Sequence, residues 1–408
     1  MRERKTRPVA ERRVAPDGAG LGDSELDPLL RRIYQARGVS SPDELDYGLR
    51  GLLPVSSLAG IDEAAQLLLE HADRKITIVG DFDADGATST ALVMRCLRKF
   101  GISNVDYLVP NRFRFGYGLT PEIVQVAAER SPDLLLTVDN GVSSLAGVEA
   151  AHELGMKVLI TDHHLPGAEL PAAEAHVNPN LPGSSFASPS LAGVGVAFYL
   201  MAAVGRMLEE RGQAGAARIP AGYLDLVALG TVADVVRLDH NNRILVHQGL
   251  QRIRAGRGVP GIAALFQQAG RQVSRAVSTD LGFVAGPRLN AAGRLEDMSV
   301  GIECLLTDEP GVAAEIAGML DGINRERKQI ETRMRDEAFA YVDAMAADNL
   351  PACVCLYDES WHQGIVGLIA ARVRERCDRP VIAFAREDDG VLKGSARSVP
   401  GVHAQALH

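Results

Sequence analysis

The sequence predicts an α/β protein with a mostly parallel sheet and a second, smaller α/β unit. From residue 75 onward, short apolar and β-branched runs alternate with segments of helical periodicity, as in βαβ units. A long amphipathic segment at 309–347 has the apolar spacing of one long helix or a kinked pair. A second alternation of strand and helix patterns begins at Pro351. We therefore expect two α/β domains joined by a helix.

The composition is that of a globular protein with two or three domains. Of the 408 residues, 46% are hydrophobic and 23% are charged. The net charge of -9 argues against a general coating of nucleic acid but leaves room for a local basic groove. Five scattered cysteines without a Cys-x-x-Cys pair disfavour disulfides and zinc, and they favour a reducing cytoplasm. Neither the charged N-terminus nor the apolar stretch at 191–205 predicts membrane association.

The changes of pattern along the chain predict five segments. They are a disordered basic tail at 1–19, a helical lead-in at 20–74, a catalytic domain at 75–308, a connecting helix at 309–347 and a partial C-terminal domain at 348–408. The alternative for the tail is an arm that contacts DNA. Strands are predicted at 76–79, 105–109, 134–138, 158–161 and 175–177, with helices between them at 87–100, 121–129 and 145–154. Further helices are predicted at 191–210 and 223–236, and the second unit has strands at 353–356, 381–384 and 392–398 and a helix at 365–376.

Three carboxylates follow the first predicted strand at alternate positions. Asp81, Asp83 and Asp85 crowd negative charge there, which is unfavourable unless cations neutralise it. A calcium-binding EF-hand loop and a solvated turn are the alternatives. The EF-hand is disfavoured because the twelfth position is Leu92 and a strand precedes the loop. The segment therefore predicts a divalent metal site.

Further ligands follow other predicted elements. Asp139 ends the third strand, Asp162, His163 and His164 end the fourth, and Asp234 interrupts an apolar run. Each has an ordinary alternative: a turn at Asp139, a capping or surface pair of histidines, and a helix cap or ion pair at Asp234. Ligands in parallel α/β sheets bind at the carboxyl ends of strands, so together these residues favour one metal site. Many carboxylates with imidazole suit Mn²⁺ or Mg²⁺, and imidazole favours Mn²⁺.

These motifs resemble those of a known superfamily. Asp-x-Asp-x-Asp-Gly, Val-Asp-Asn-Gly, Asp-His-His and Val-Ala-Asp are similar to the four motifs of the DHH phosphoesterases. The segment at 394–398 is similar to the glycine-rich motif of the DHHA1 domain. The segments at 110–119 and 286–295 resemble the RecJ branch, whose members are single-strand-specific 5′→3′ DNA exonucleases. The resemblance implies a DHH catalytic domain, a DHHA1 domain and a role in DNA repair and recombination.

The resemblance implies a hydrolase with two Mn²⁺ or Mg²⁺ ions. It assigns Asp81, Asp83 and Asp139 to the first ion, and Asp85, Asp139, His163 and Asp234 to the second, with Asp139 as the bridge. It implies that Asp162 orients His163. It also implies that His164 stabilises charge on the scissile phosphate or assists proton transfer.

The resemblance also implies contacts with single-stranded DNA that has a 5′ end. Arg112, Ser395 and Arg397 would bind the terminal phosphate. Tyr117 would stack on a base, or it belongs to a structural turn with its neighbouring glycines. The other implied DNA-binding residues are Arg288, Asn290 and Arg294.

Two departures from the resemblance shape the remaining expectations. Phe115 stands where many relatives have a polar residue, which alters the local contacts of its loop. An OB-fold would normally follow the DHHA1 domain, so we expect weak single-strand affinity here. The expected protein is a cytoplasmic monomer, and the resemblance implies single-strand-binding protein and a helicase as partners. The alternatives are a phosphodiesterase for short oligonucleotides or cyclic dinucleotides, and an inactive DNA-binding scaffold that has lost its metal ligands.

Overall fold

The structure is a computed structural model of the chain, and it describes residues 21, 25–110, 115–345, 350–387 and 390–402. The predicted tail at 1–19 and the predicted phosphate ligand Arg112 lie outside the described residues.

The lead-in is helical, as expected. It contains α1 (Pro28–Ala36), three short 3₁₀ turns and α2 (Ile61–Glu70). The carboxylate of Asp27 accepts a 2.8 Å hydrogen bond from the N–H of Leu29, which fixes the start of α1. The α2 helix buries Ile61 and Leu68 in the main core. No single helix among the described residues has the length and apolar character of a membrane span, although Leu49–Ser57 and Ile61–Glu70 meet that criterion together as a bent pair.

The central sheet is parallel throughout, as the alternating pattern predicts. Its strands are β1 (Ile76–Val79), β2 (Val105–Leu108), β3 (Leu134–Val138), β4 (Lys157–Thr161) and β5 (Ala175–Val177). Their order across the sheet is β2-β1-β3-β4-β5. Ile76 of β1 lies opposite Leu134 of β3, and Leu134 lies opposite Lys157 of β4. The carboxyl ends of β1, β3 and β4 therefore meet at one edge.

Helices cover both faces of this sheet. The helices of the central domain after β1 are α3 (Ala84–Phe100), α4 (Pro121–Ala128), α5 (Leu145–Glu153), α6 (Gly193–Glu210), α7 (Leu224–Ala233), α8 (His240–Arg254), α9 (Pro260–Gln268), α10 (Gly286–Leu295) and α11 (Ser299–Leu306), of which the last four pack mainly on other helices. One face packs against α3, α6 and α7 in the largest core, and the other packs against α4 and α5. Such a two-sided cover is what a parallel sheet needs, because both of its faces are apolar.

The α3 helix begins three residues earlier than its apolar pattern predicts. The carboxylate of Asp83 accepts hydrogen bonds from the N–H groups of Asp85 and Gly86, at 2.9 and 3.0 Å. This N-cap starts the helix at Ala84. As a result Asp85 lies in the first helical turn and not in a loop.

The long segment forms one continuous helix and not a kinked pair. This helix, α12 (Pro310–Ala344), contacts α9 and α10 and then the C-terminal unit. That unit consists of β6 (Val354–Tyr357), α13 (Val366–Cys377), β7 (Val381–Arg386) and β8 (Leu392–Arg397). The β6 and β7 strands are parallel, whereas β7 and β8 are antiparallel. Met334 and Ala338 of α12 lie in the core of this unit, so the helix packs against both the central domain and the C-terminal unit.

Candidate metal centre

Three aspartates lie at the carboxyl edge of the central sheet. Asp81 lies two residues beyond β1, Asp139 directly follows β3 and Asp162 directly follows β4. Asp81 is 5% exposed and Asp139 is 2% exposed, so these carboxylates are held in the protein interior. The parallel register brings them together, which is the juxtaposition that the strand ends predict.

Asp85 reaches the same place from α3. Its side chain is buried, and it accepts hydrogen bonds from the backbone N–H of Gly193 at 2.7 Å and of Val194 at 3.0 Å. Both donors belong to the first turn of α6, whose positive end also favours a carboxylate. The helix start therefore fixes the orientation of Asp85.

Two glycines allow the helices to approach the carboxylates. A Cβ on Gly193 would lie 2.5 Å from Oδ1 of Asp139, and a Cβ on Gly230 would lie 2.7 Å from Oδ1 of Asp85. Any larger residue at either position would displace a carboxylate. Sequence reasoning missed both residues, because a glycine at the start of a helix or inside an apolar helix is a weak signal.

His163 lies at the centre of the carboxylates. Its Nε2 is 3.1 Å from Oδ1 of Asp139, 3.6 Å from Oδ2 of Asp234 and 3.9 Å from Oδ2 of Asp85. Asp234 comes from the C-terminal end of α7, so a fourth part of the chain contributes to the cluster.

The potential ligand atoms form overlapping groups in which all members lie within 4.8 Å of one another. These groups are Asp81, Asp83 and Asp139; Asp85, His163 and Asp234; and Asp139, His163 and His164. All six residues predicted as metal ligands are thus brought together.

The electrostatics of these groups favour the binding of a cation. Burial, with the charge of neighbouring aspartates, raises the pKa of Asp139 and of Asp85 well above the usual range. Burial and the charge of Asp83 raise the pKa of Asp234 to about 7. Burial and the neighbouring His164 lower the pKa of His163 to about 4, so this imidazole is neutral and free to act as a ligand.

Unsatisfied atoms support the same conclusion. Oδ1 of Asp139 and Nε2 of His163 are buried without a hydrogen-bond partner in the described part of the chain. Buried polar atoms normally have partners, and these two face each other across the cluster. Oxygen and imidazole ligands in this ratio fit Mn²⁺ or Mg²⁺.

The resemblance implies that Asp162 orients His163, and the structure shows that this carboxylate contacts the backbone of His163 and the imidazole of His164. Oδ1 of Asp162 lies 2.7 Å from Nδ1 of His164, and it also accepts hydrogen bonds from the backbone N–H groups of His163 and His164. Burial alone would lower the pKa of His164, but the hydrogen bond and charge of Asp162 outweigh it and raise that pKa to about 9. Asp162 therefore orients His163 only through the backbone, and its side-chain partner is His164.

Tyr117 lies over His164. Its hydroxyl is 3.2 Å from Nδ1 and 3.3 Å from Nε2 of that imidazole, and its ring meets Phe82 edge to face at 6.0 Å. The Tyr117 side chain is 51% exposed, so it remains accessible beside the metal cluster. The predicted stacking on a base stays a prediction.

A cleft of about 300 Å³ lies between the central domain and the C-terminal unit. Its lining residues are Phe82, Asp83, Asn290, Arg294, Gln363, Gly364, Val366, Gly367, Lys393, Gly394, Ser395 and Arg397. Oδ1 of Asn290 accepts a hydrogen bond from the N–H of Ala84 at 2.7 Å, and Arg294 donates to the carbonyl of Gly364 at 3.3 Å. Four predicted DNA-binding residues (Asn290, Arg294, Ser395 and Arg397) therefore line a cleft that adjoins the metal cluster.

Arg288 has a different position from the one its motif suggested. Its guanidinium lies 2.7 Å from Oδ1 of Asp321 on α12 and donates to the carbonyl of Val284 at 2.8 Å. Its side chain is 11% exposed, and it is not among the residues that line the cleft. Arg288 thus forms an ion pair between α10 and α12, and its DNA contact stays a prediction.

The fold and this carboxylate–imidazole cluster define a phosphoesterase of the DHH class. The family described as "DHH family, N-terminal domain" matches residues 75–231, and the "DHHA1 domain" matches residues 349–408. The single-stranded-DNA-specific exonuclease RecJ of Escherichia coli (strain K12) is 53% identical over 400 residues, which are 96% of this chain and 69% of that protein.

Two solved structures extend the comparison. RecJ of Thermus thermophilus in complex with Mn²⁺ matches with a TM-score of 0.80 and 33% identity, over 95% of this chain and 54% of that chain. An exonuclease RecJ bound to manganese matches with a TM-score of 0.75 and 34% identity, over 87% of this chain and 86% of that chain. The chain belongs to the RecJ family of single-stranded-DNA-specific exonucleases. The predicted family, enzyme class and fold are confirmed.

Proposed function

We propose that this chain removes nucleotides from the 5′ end of single-stranded DNA with the help of two divalent cations. The observation that carries the proposal is the cluster of five aspartates and His163 beside a cleft that contains Arg294, Lys393 and Arg397. The relatives named RecJ are described as single-strand-specific exonucleases, and two of their structures contain manganese. Degradation from the 5′ end rests on the resemblance to this family.

The proposed cofactors are two Mn²⁺ or Mg²⁺ ions. Asp81, Asp83 and Asp139 would hold one ion, and Asp85, Asp139, His163 and Asp234 would hold the other. When bound, such ions neutralise charge on the phosphate and lower the pKa of water. The neutral imidazole of His163 and the preoriented carboxylate of Asp85 support this ligand set.

His164 is proposed to act on the scissile phosphodiester. Its pKa of about 9 keeps it protonated at neutral pH, and it can then donate a hydrogen bond to a phosphate oxygen as negative charge develops. Asp162 holds the imidazole in place through Nδ1. Hydrolysis adds water to phosphorus and breaks the bond to the 3′ oxygen of the terminal nucleotide, which leaves as a 5′-monophosphate with a new 3′ hydroxyl.

The terminal 5′ phosphate is proposed to bind in the cleft. Ser395 and Arg397 lie on β8 at one side of the cleft, where Nη1 of Arg397 donates to Oγ of Ser395 at 3.1 Å. Arg294 and Lys393 add positive charge there, and Arg112 is the third proposed phosphate ligand. Charged donors of this kind are the usual ligands of a phosphate.

Labelled oligonucleotides test the activity. With Mn²⁺ we expect a 5′-labelled single strand to release labelled mononucleotide at once, whereas a 3′-labelled strand should shorten step by step. EDTA should abolish both reactions, and a fully paired blunt duplex should resist. Loss of label from the 3′ end first, or cleavage of short oligonucleotides but not long ones, would refute the proposal and favour the oligonucleotide phosphodiesterase. Binding without any cleavage would favour the scaffold.

The cellular setting is also proposed. Single-stranded DNA arises in repair and recombination, so single-strand-binding protein and a helicase are the proposed partners, in the cytoplasm. We propose a monomer, which light scattering of the purified chain would test. A stable dimer would contradict it.

A further inference from the structure

Asn140 follows the predicted metal ligand Asp139, and its side chain has no role in the mechanism above. It is 1% exposed, and its Nδ2 donates hydrogen bonds to the carbonyl of Val79 at 3.0 Å and to the carbonyl of Val138 at 2.9 Å. Val79 is the last residue of β1, and Val138 is the last residue of β3. One buried amide group thus links the ends of two neighbouring strands.

This link lies where the ladder of paired residues between the two strands ends. Val79 and Thr137 form the last residue pair of β1 and β3. Beyond that pair, the N–H of Gly80 donates to β2 and the N–H of Asp139 donates to β4, so these two groups bond to the outer strands. The amide of Asn140 therefore holds β1 against β3 at the edge of the sheet where the metal cluster lies.

The link controls the spacing of one pair of predicted ligands. Asp81 lies two residues beyond Val79, and Asp139 directly follows Val138, so each ligand is attached to one of the two bonded carbonyls. Both aspartates belong to the same group of potential ligands. By contrast, backbone N–H groups of α6 hold the carboxylate of Asp85. A change in the spacing of β1 and β3 thus acts mainly on the ligands of the first ion.

The second polar atom of this amide indicates that Asn140 contributes more to position than to stability. Its Oδ1 is buried without a hydrogen-bond partner in the described part of the chain. A buried amide with an unsatisfied acceptor stabilises a fold less than a fully bonded one. The neutral donor nevertheless suits this place, because it bonds the two carbonyls without adding a positive charge that would compete with a cation for the carboxylates.

We propose that Asn140 is a positioning residue that sets the distance between Asp81 and Asp139, and through that distance the affinity for the first of the two divalent ions. This inference rests on the proposed function, because it concerns the same pair of ions. Asn140 acts only through the two strand ends and contacts neither ion. Its loss should therefore weaken one ion site and leave the other unchanged.

Calorimetric titration of the chain with Mn²⁺ tests this role. Asn140→Leu removes both donors at similar side-chain size, and it should weaken one of the two sites about 10- to 100-fold, the usual cost of losing a group that supports a metal ligand. The control is Thr77→Val, because Oγ1 of Thr77 also links two strands, through a 2.6 Å bond to Asp106 of β2. Both variants should lower the melting temperature of the metal-free protein by a few degrees, but only Asn140→Leu should change the affinity for Mn²⁺.

Two ligand variants show which ion is affected. Asp234→Asn should leave only the first ion site, and in that background Asn140→Leu should cause its full loss of affinity. Asp83→Asn should leave only the second ion site, since asparagine still caps α3. In that second background Asn140→Leu should leave the affinity for Mn²⁺ unchanged.

The outcomes separate the two proposals. A folded Asn140→Leu that binds both ions like the wild type would overturn the positioning role, and so would an equal weakening of both sites. If Asn140→Leu does not fold, Asn140→Ser decides the question, because its single donor cannot make both bonds. It should weaken the same site, and wild-type affinity in that variant would again overturn the role. A wild type that binds two ions but cuts no single strand would refute the proposed function alone.

Discussion

Asp139 combines a central position with an unusual backbone. Its φ is 63°, in the left-handed region, where Asp and Asn are several-fold enriched among non-glycine residues. This conformation turns the chain sharply after β3, and Oδ1 of Asp139 then lies 3.1 Å from His163. Its carboxylate belongs to two of the groups of potential ligands, so it is the best placed residue to bridge two ions.

Asp139→Asn separates charge from backbone conformation. Asparagine tolerates the same φ but does not bridge two cations, so we expect Mn²⁺-dependent exonuclease activity to fall at least about a hundredfold. Even the mutation of a residue that only contacts a metal ligand can cost up to about a hundredfold. The melting temperature of the metal-free protein should not fall, because the substitution removes buried repulsion. Initial rates and circular dichroism measure the two quantities. Asp73→Asn, on an exposed turn, is the control, and an active Asp139→Asn would contradict the bridging role.

The buried carboxylates also predict how pH affects the metal-free protein. Asp234 has a pKa of about 7 in the fold, above the value of about 3.9 for an unfolded aspartate. Its protonated form is therefore favoured by folding, and the stability that it contributes is present below pH of about 4 and lost as the pH rises through about 7. The raised pKa values of Asp85 and Asp139 act in the same direction.

In EDTA we therefore expect the melting temperature to fall by a few degrees between pH 5.5 and pH 8. This fall corresponds to a loss of unfolding free energy on the order of 1 kcal/mol per group. Mn²⁺ should raise it most at pH 8, where the ligands bind without losing protons. Differential scanning calorimetry at both pH values, with and without Mn²⁺, measures this. A metal-induced increase that is larger at pH 5.5 would contradict the assignment.

At the scale of elements, α12 is anchored to the central domain by a buried ion pair. Arg288 on α10 and Asp321 on α12 are 11% and 9% exposed, and the same carboxylate also binds Arg325 from the solvent side. An ion pair that is buried with its hydrogen bonds made is costly to break from one side. Arg288 thus supports the cleft, because it holds α12 against α10, the helix that carries Asn290 and Arg294.

Arg288→Leu should destabilise the protein by about 3–5 kcal/mol, because Asp321 keeps only an exposed partner. Arg325→Leu removes that exposed partner, and we expect a loss below about 1 kcal/mol. Urea unfolding of both variants gives the two free energies. If Arg288→Leu unfolds like the wild type but binds single strands with a weaker salt dependence, the original expectation of a DNA contact is correct and the structural role is wrong.

At the scale of the whole molecule, the C-terminal unit approaches the central domain closely at Gly364. A Cβ on Gly364 would lie 2.0 Å from the backbone carbonyl of Arg294, so this position tolerates no side chain. The cleft depends on this contact, because α10 forms one wall and β8 forms the other. The predicted metal ligands all belong to the central domain, so the contact at Gly364 and metal binding can be tested separately.

Gly364→Ala should push the two walls apart and lower kcat/KM on 5′-phosphorylated strands by roughly tenfold to a hundredfold, since displacements of about 1 Å can be that costly. Mn²⁺ affinity from calorimetry should remain at the wild-type value. The matched control is Gly311→Ala in the first turn of α12, where a Cβ meets no atom within 4 Å. Unchanged kinetics in a folded Gly364→Ala would show that the contact does not shape the cleft.

Much of the fold could be predicted because it depends on short-range patterns. The predicted strands at 76–79, 134–138 and 175–177 agree with the structure in both bounds. The first two are mostly apolar runs that end at Gly80 and Asp139. The start of α3 was misplaced because the N-cap of Asp83 outweighs the apolar pattern that begins at Ala87. Local capping bonds of this kind move the ends of elements without changing their type.

Residue types and their spacing are enough to predict the class of the fold and a set of candidate metal ligands, because strand ends of a parallel sheet must meet at one edge. Which groups touch depends on contacts between segments that are distant in the chain. The bond from Gly193 to Asp85 joins residues 108 positions apart, and the pair of Arg288 and Asp321 joins residues 33 apart. Asp162 faces His164 and not His163 because the direction of a side chain depends on the packing around it. Residue types and spacing do not determine those side-chain directions, which arise when distant segments pack against each other.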